Sequence, residues 1–170
     1  MFSRVKKLAL LGPAKQLLLL RIWLMLARAR FTLLRKGLAH FTSGLTLHLT
    51  IPVTQSIPRD ELEQARELGR LVAIAARYTP WQSRCLTQVL VLHQLLEQRK
   101  IPGYFSLGVR KAGDDEADAL NAHAWLQCGN AIVNGELWGD GYIALSSFSW
   151  GLRTTASSAP DTAAGNHRQK

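Results

Sequence analysis

Four stretches of the chain repeat apolar residues every three to four positions, and a later region switches to a period of two. In residues 14–38, Leu17, Leu18, Trp23, Leu24 and Ala27 fall near one face of a helix. Residues 3–12 carry a shorter helical pattern, and Gly12-Pro13 breaks the two apart. Residues 60–78 line up Leu62, Ala65, Leu68, Leu71, Val72 and Ala75, with Asp60 as the predicted cap and Thr79-Pro80 as the stop. Residues 84–99, capped by Ser83, carry Leu86, Val89, Leu90, Leu92, Leu95 and Leu96, a stripe broad enough for a helix buried on most sides. "IPGYFSLGVRK" then reads as a strand, and "AHAWLQC" and "AIVNGELW" as two more joined at Gly129-Asn130. The Ser/Thr-rich segment 39–57 is a connector with a short extended piece at most, and "DDEADAL" is an acidic loop. No internal repeat is evident. Helices followed by a helix and antiparallel strands predict an α+β fold.

Composition sets the scale of that fold. The chain has 170 residues, 47% of them hydrophobic, which suffices for one core with appendages. The expected division is residues 1–58 as basic, apolar N-terminal helices and connector, 59–152 as the core, and 153–170 as a disordered tail. Two cysteines, Cys85 and Cys128, form no CxxC or close Cys/His pair, so no zinc or other metal site is expected, and no cofactor is implied. The absence of a secretory signal or a paired-cysteine framework points to a reducing cytoplasm.

Charge alters the picture at the N-terminus. The net charge is +9, and residues 1–59 hold ten Lys or Arg and no acid. Arg21, Arg28 and Arg30 interrupt "LLLLRIWLMLARARFTLL", leaving no run near the roughly 20 apolar residues of a membrane span. Packing on the protein's own domain or on a partner is the expected use of these helices, with peripheral contact to an anionic membrane as an alternative. Nucleic acid is not an expected partner, because the arm is too apolar for a solvated basic tail.

Candidate chemistry lies at Cys85 and His123. With Ser83 as cap, Cys85 sits in the first turn of its helix, where unpaired N–H groups and the helix dipole favour a thiolate. Arg84 adds positive potential. A cysteine inside an apolar helix is more often plain packing. His123 opens a strand after the acidic loop, and a strand laid beside that helix would carry the imidazole to the sulfur as a general base. His93 lies mid-helix, His40 and His48 in the connector and His167 in the tail, so they compete poorly.

"PWQSRCLTQVLVLHQLLEQRKIPGYFSLGVRK" followed by "AHAWLQCGNAIVNG" resembles the peptidase component, the B protein, of lasso-peptide biosynthesis, a transglutaminase-like cysteine-protease family. The resemblance covers roughly residues 60–150 and rests on the combined spacing rather than on any one piece. It implies a papain/transglutaminase-like core, a nucleophile helix packed on a small antiparallel sheet, with N-terminal helices. It implies a cytoplasmic leader peptidase with Cys85 as nucleophile and His123 as its histidine. The implied partners are a precursor's leader, a separate leader-recognition protein, since no such module precedes the peptidase here, and an asparagine-synthetase-like cyclase. The alternative is a non-catalytic scaffold that docks the same three.

The third member of a triad departs from the family. Many relatives carry an aspartate after "VN", and Gly135 stands there. A two-residue turn at Gly129-Asn130 pairs positions summing to 259, which sets Glu136 opposite His123 and Asn134 opposite Trp125. Asp140 is the alternative if Gly139 and Gly141 fold it inward, and a bulge would turn Glu136 away. Gln82, three residues before Cys85, could complete an oxyanion hole with the Cys85 N–H, or simply face solvent. Cys128, five positions past His123, is expected on the opposite strand face, in the core.

Overall fold

The computed structural model describes residues 12–52, 55–111, 120–135 and 141–152. Helix α1 (Pro13–Lys36) starts on Pro13, whose missing N–H would have had no partner in the first turn anyway. It buries Leu19, Ile22, Leu26 and Ala29. This corrects the expected face, since Leu17 and Leu24 are exposed. The helix expected over residues 3–12 lies outside the described residues.

The connector is more structured than its composition implied. It holds a four-residue helix, α2 (Ala39–Thr42), and a short strand, β1 (Thr46–His48). Helix α3 (Arg59–Arg77) is entered from Pro58 with no side-chain cap, so Asp60 is not the cap. Asp60 instead sits with Glu61 in the first turn, where their charges favour the positive end of the helix dipole. Helix α4 (Cys85–Gln98) likewise begins one residue later than expected, from Arg84. Ser83 does not cap it; its hydroxyl hydrogen-bonds Thr79 Oγ1 at 2.9 Å and braces the loop.

Four strands complete the sheet: β2 (Gly103–Lys111), β3 (Leu120–Cys128), β4 (Ala131–Asn134) and β5 (Ile143–Trp150). The order is β1-β5-β2-β3-β4, and every neighbour pair is antiparallel. The inner strand β5 had no counterpart among the expected elements. Its serines hide the alternation, and they are satisfied in place: Ser147 and Ser106 hydroxyls meet at 2.7 Å, and His48 Nε2 meets Ser149 Oγ at 2.8 Å.

One core joins the layers. α4 packs on β3 and β2, and α1 and α3 pack on α4 and on each other, α3 also reaching β4. Val89, Leu90, Val91, Leu92, Leu95 and Leu96 of α4 are fully buried, as the broad stripe required. Phe105, Ala124, Leu126 and Cys128 meet them from the sheet.

Candidate active site

Cys85 is the first residue of α4, half-buried against the core. The loop before it is pinned from several sides. Thr79 Oγ1 donates to the main-chain oxygens of Ala76 and Trp81, and Gln88 Nε2 donates to Ser83 O at 2.8 Å. From α1, Trp23 packs on Trp81 with ring centroids 5.2 Å apart, and Arg30 Nη1 donates to Gln82 O at 3.0 Å. The Gln82 side chain is exposed, so the structure fixes its backbone and leaves its amide free to meet a ligand.

His123 lies half-buried on β3, between Trp125 and Tyr142, whose ring centroids are 6.2 and 5.1 Å away. Its Nε2 is 3.2 Å from the main-chain oxygen of Gly135. A carbonyl only accepts, so the proton is on Nε2, and the lone pair on Nδ1 is left to act as a base. Gly135 can play this part because it has φ 76°, and a Cβ there would collide with Ala124 O and lie 2.8 Å from Trp125 Cα. The site that carries aspartate in the resembling family therefore offers a backbone acceptor. No sequence signal marks such a carbonyl; the glycine after "VN" was visible only as a missing acid.

Element lengths set Cys85 and the His123 register at similar distances from the turn that joins α4 to β2. Only Arg99–Pro102 separate α4 from β2, which runs back along the helix. The 14 residues of α4 rise about 20 Å, and the run from Gly103 to Gly108, the partner of His123, is about 17 Å. Strand alternation sets His123, Trp125 and Gln127 on one face and Ala124, Leu126 and Cys128 on the helix-packed face. Among the described residues no hydrogen bond joins Cys85 to His123.

The hairpin register departs from the simple count. Cys128 pairs with Ala131 and Gln127 with Ile132, as expected, but a bulge follows and Asn134 pairs with Leu126 rather than Trp125. The count that set Glu136 opposite His123 thus fails before reaching it. Glu136 and Asp140 themselves lie outside the described residues. Asn134 is buried with its Oδ1 unpartnered.

The remaining candidates sort by burial. Cys128 is a free, fully buried thiol whose pKa burial pushes up to about 12. His93 is buried edge-on to Trp150 at 4.5 Å, and desolvation lowers its pKa despite Glu97 3.7 Å away. No cluster of three His, Cys, Asp or Glu among the described residues is placed to hold a metal ion, and none of their helices is long and apolar enough to cross a membrane.

A cysteine starting a helix packed on an antiparallel sheet, with a histidine on the adjoining strand, defines a cysteine-protease-like α+β fold. The model of the transglutaminase-like superfamily matches residues 23–146, and the chain belongs to that superfamily. No curated protein and no solved structure matches the chain.

Proposed function

We propose that the protein is a cysteine peptidase that removes the leader from a lasso-peptide precursor, working with a separate leader-recognition protein and a cyclase in the cytoplasm. The observation that carries the reading is Cys85 at the first position of α4, in a superfamily member whose β3 presents His123. In this reading His123 Nδ1 takes the thiol proton, and Cys85 Sγ attacks the carbonyl carbon of the scissile bond. The oxyanion is met by the Cys85 N–H and by the Gln82 amide. The imidazolium then protonates the leaving amine, and water, deprotonated by the same nitrogen, hydrolyses the thioester. Gly135 O keeps the proton on Nε2 throughout. His123 stands on the sheet face opposite α4 in the free protein, so this reading requires the imidazole to be brought round the strand to Cys85 Sγ when substrate binds.

A scaffold of the same fold is the second reading, favoured by the lack of a Cys85–His123 hydrogen bond in the free protein. The two separate in one experiment on precursor, recognition protein and enzyme, read by mass spectrometry. Cys85→Ala should abolish cleavage and keep partner binding, whereas Cys128→Ala should keep most activity. Iodoacetamide should label Cys85 alone in the native protein. Cleavage by Cys85→Ala at the wild-type rate would overturn the cysteine-peptidase reading, and partner binding with no cleavage by the wild-type protein would favour the scaffold.

A further inference from the structure

Helix α1 carries two apolar rows. One is buried in the core; the other consists of Leu17, Leu20, Leu24, Ala27, Phe31 and Leu34, spaced 3-4-3-4-3 along about 26 Å. This second row faces outward: Leu17 is 69% exposed, Leu20 56%, Leu24 55%, Phe31 56% and Leu34 73%. Beside its C-terminal half runs a groove of about 220 Å³, walled by Ala27, Arg30, Phe31, Leu34 and Trp81. Arg21, Arg28 and Arg35 each follow a row residue by one position, so they form one edge of the stripe; Arg30 stands on the other.

We infer that this stripe is the docking seam for an amphipathic helix of another protein whose flanking positions are acidic. The spacing is that of a coiled-coil seam, two positions in seven, and the groove beside Trp81 receives a side chain in the manner of a knob entering a hole. Charge selects the occupant. A second copy of α1 would bring arginine against arginine, because α1 contains no acid at all. The protein's own residues 1–11 carry Arg4, Lys6 and Lys7 and no acid, so they are repelled by the same edge. An anionic bilayer meets the same leucines and arginines, but its surface does not fill the groove walled by Phe31, Leu34 and Trp81, as a side chain of a partner helix does. An acidic-edged helix meets both the apolar row and the arginines. The groove end of the stripe, at Arg30 and Trp81, adjoins the loop that carries Gln82, and the inference holds for peptidase and scaffold alike.

The test uses two synthetic helical peptides of about 21 residues, three heptads with leucine at the seam, one flanked by glutamate and the other by lysine. Binding of the labelled peptides to the full chain is followed by fluorescence anisotropy, alongside phosphatidylglycerol vesicles and sedimentation of the protein alone. The glutamate peptide should bind at least tenfold tighter than the lysine peptide. Leu20→Ser with Leu24→Ser should erase that binding, and Arg28→Glu with Arg35→Glu should reverse the preference, with thermal melts confirming that both variants fold. Equal affinity for the two peptides, affinity unchanged in the variants, stripe-dependent binding to vesicles in place of peptide, or a dimer dispersed by the leucine changes would each overturn the inference.

Discussion

At the scale of single residues, the position that departs from the resembling family is also the one that holds the histidine. Gly135 donates no side chain, yet its carbonyl fixes which nitrogen of His123 carries the proton. Any larger residue must leave φ 76° or push against Ala124 and Trp125. Gly135→Ala should therefore cost about 1–3 kcal/mol in denaturant unfolding and release the imidazole. Nitrogen NMR should then report mixed tautomers in place of Nε2–H, and Gly135→Asp should behave alike rather than supply a working carboxylate. An unchanged tautomer in both variants would show that the carbonyl orients nothing. The position of Cys85 at a helix start was legible to within one residue, whereas β3 begins at Leu120, three residues before the histidine expected to open it. The acceptor was not legible, because a carbonyl belongs to every residue and only a backbone bend aims it.

At the scale of elements, the close approach of α3 to the sheet turns on one residue. Glycine inside a helix is ordinarily a defect, and replacing it with alanine gains about 0.5–1 kcal/mol. Gly69 reverses that expectation. A Cβ there would land on the main-chain oxygen of Val133 in β4, backbone that has no rotamer to yield. Val133 is also the residue skipped in the β3–β4 pairing, between Ile132 and Asn134. Gly69→Ala should thus lower stability by about 1–3 kcal/mol, read as a shifted urea midpoint. A rise in the midpoint would mean that α3 slides freely over the hairpin. The three long helices were readable to within two residues, since each carries a strong period and a Gly or Pro signal at its limits. The strands were less so. β5 alternates core-facing Phe148 and Trp150 with buried Ser147 and Ser149 on the other face, which a facing serine or histidine makes tolerable, and the bulge at Val133 has no mark in "AIVN".

At the scale of the whole molecule, α1 belongs to two surfaces at once. Its rows Leu19-Ile22-Leu26-Ala29 and Leu17-Leu20-Leu24-Ala27 are offset by two positions and have the same spacing. Periodicity alone could not decide which row packs inward; only the docking of α1 onto α3 and α4 does. The consequence for stability is sharp. Leu26 is fully buried in the cluster that includes Val72 and Leu92, so Leu26→Ala removes buried methyl groups and leaves a cavity. That change should cost about 2–5 kcal/mol. Leu24→Ala, one turn-face away and more than half exposed, should stay within about 0.5 kcal/mol, because alanine and leucine are both good helix formers. Paired thermal melts of the two variants measure the contrast. Equal losses would mean that the outer row is covered by this chain itself, and equal small effects would mean that α1 is an appendage resting loosely on a core complete without it.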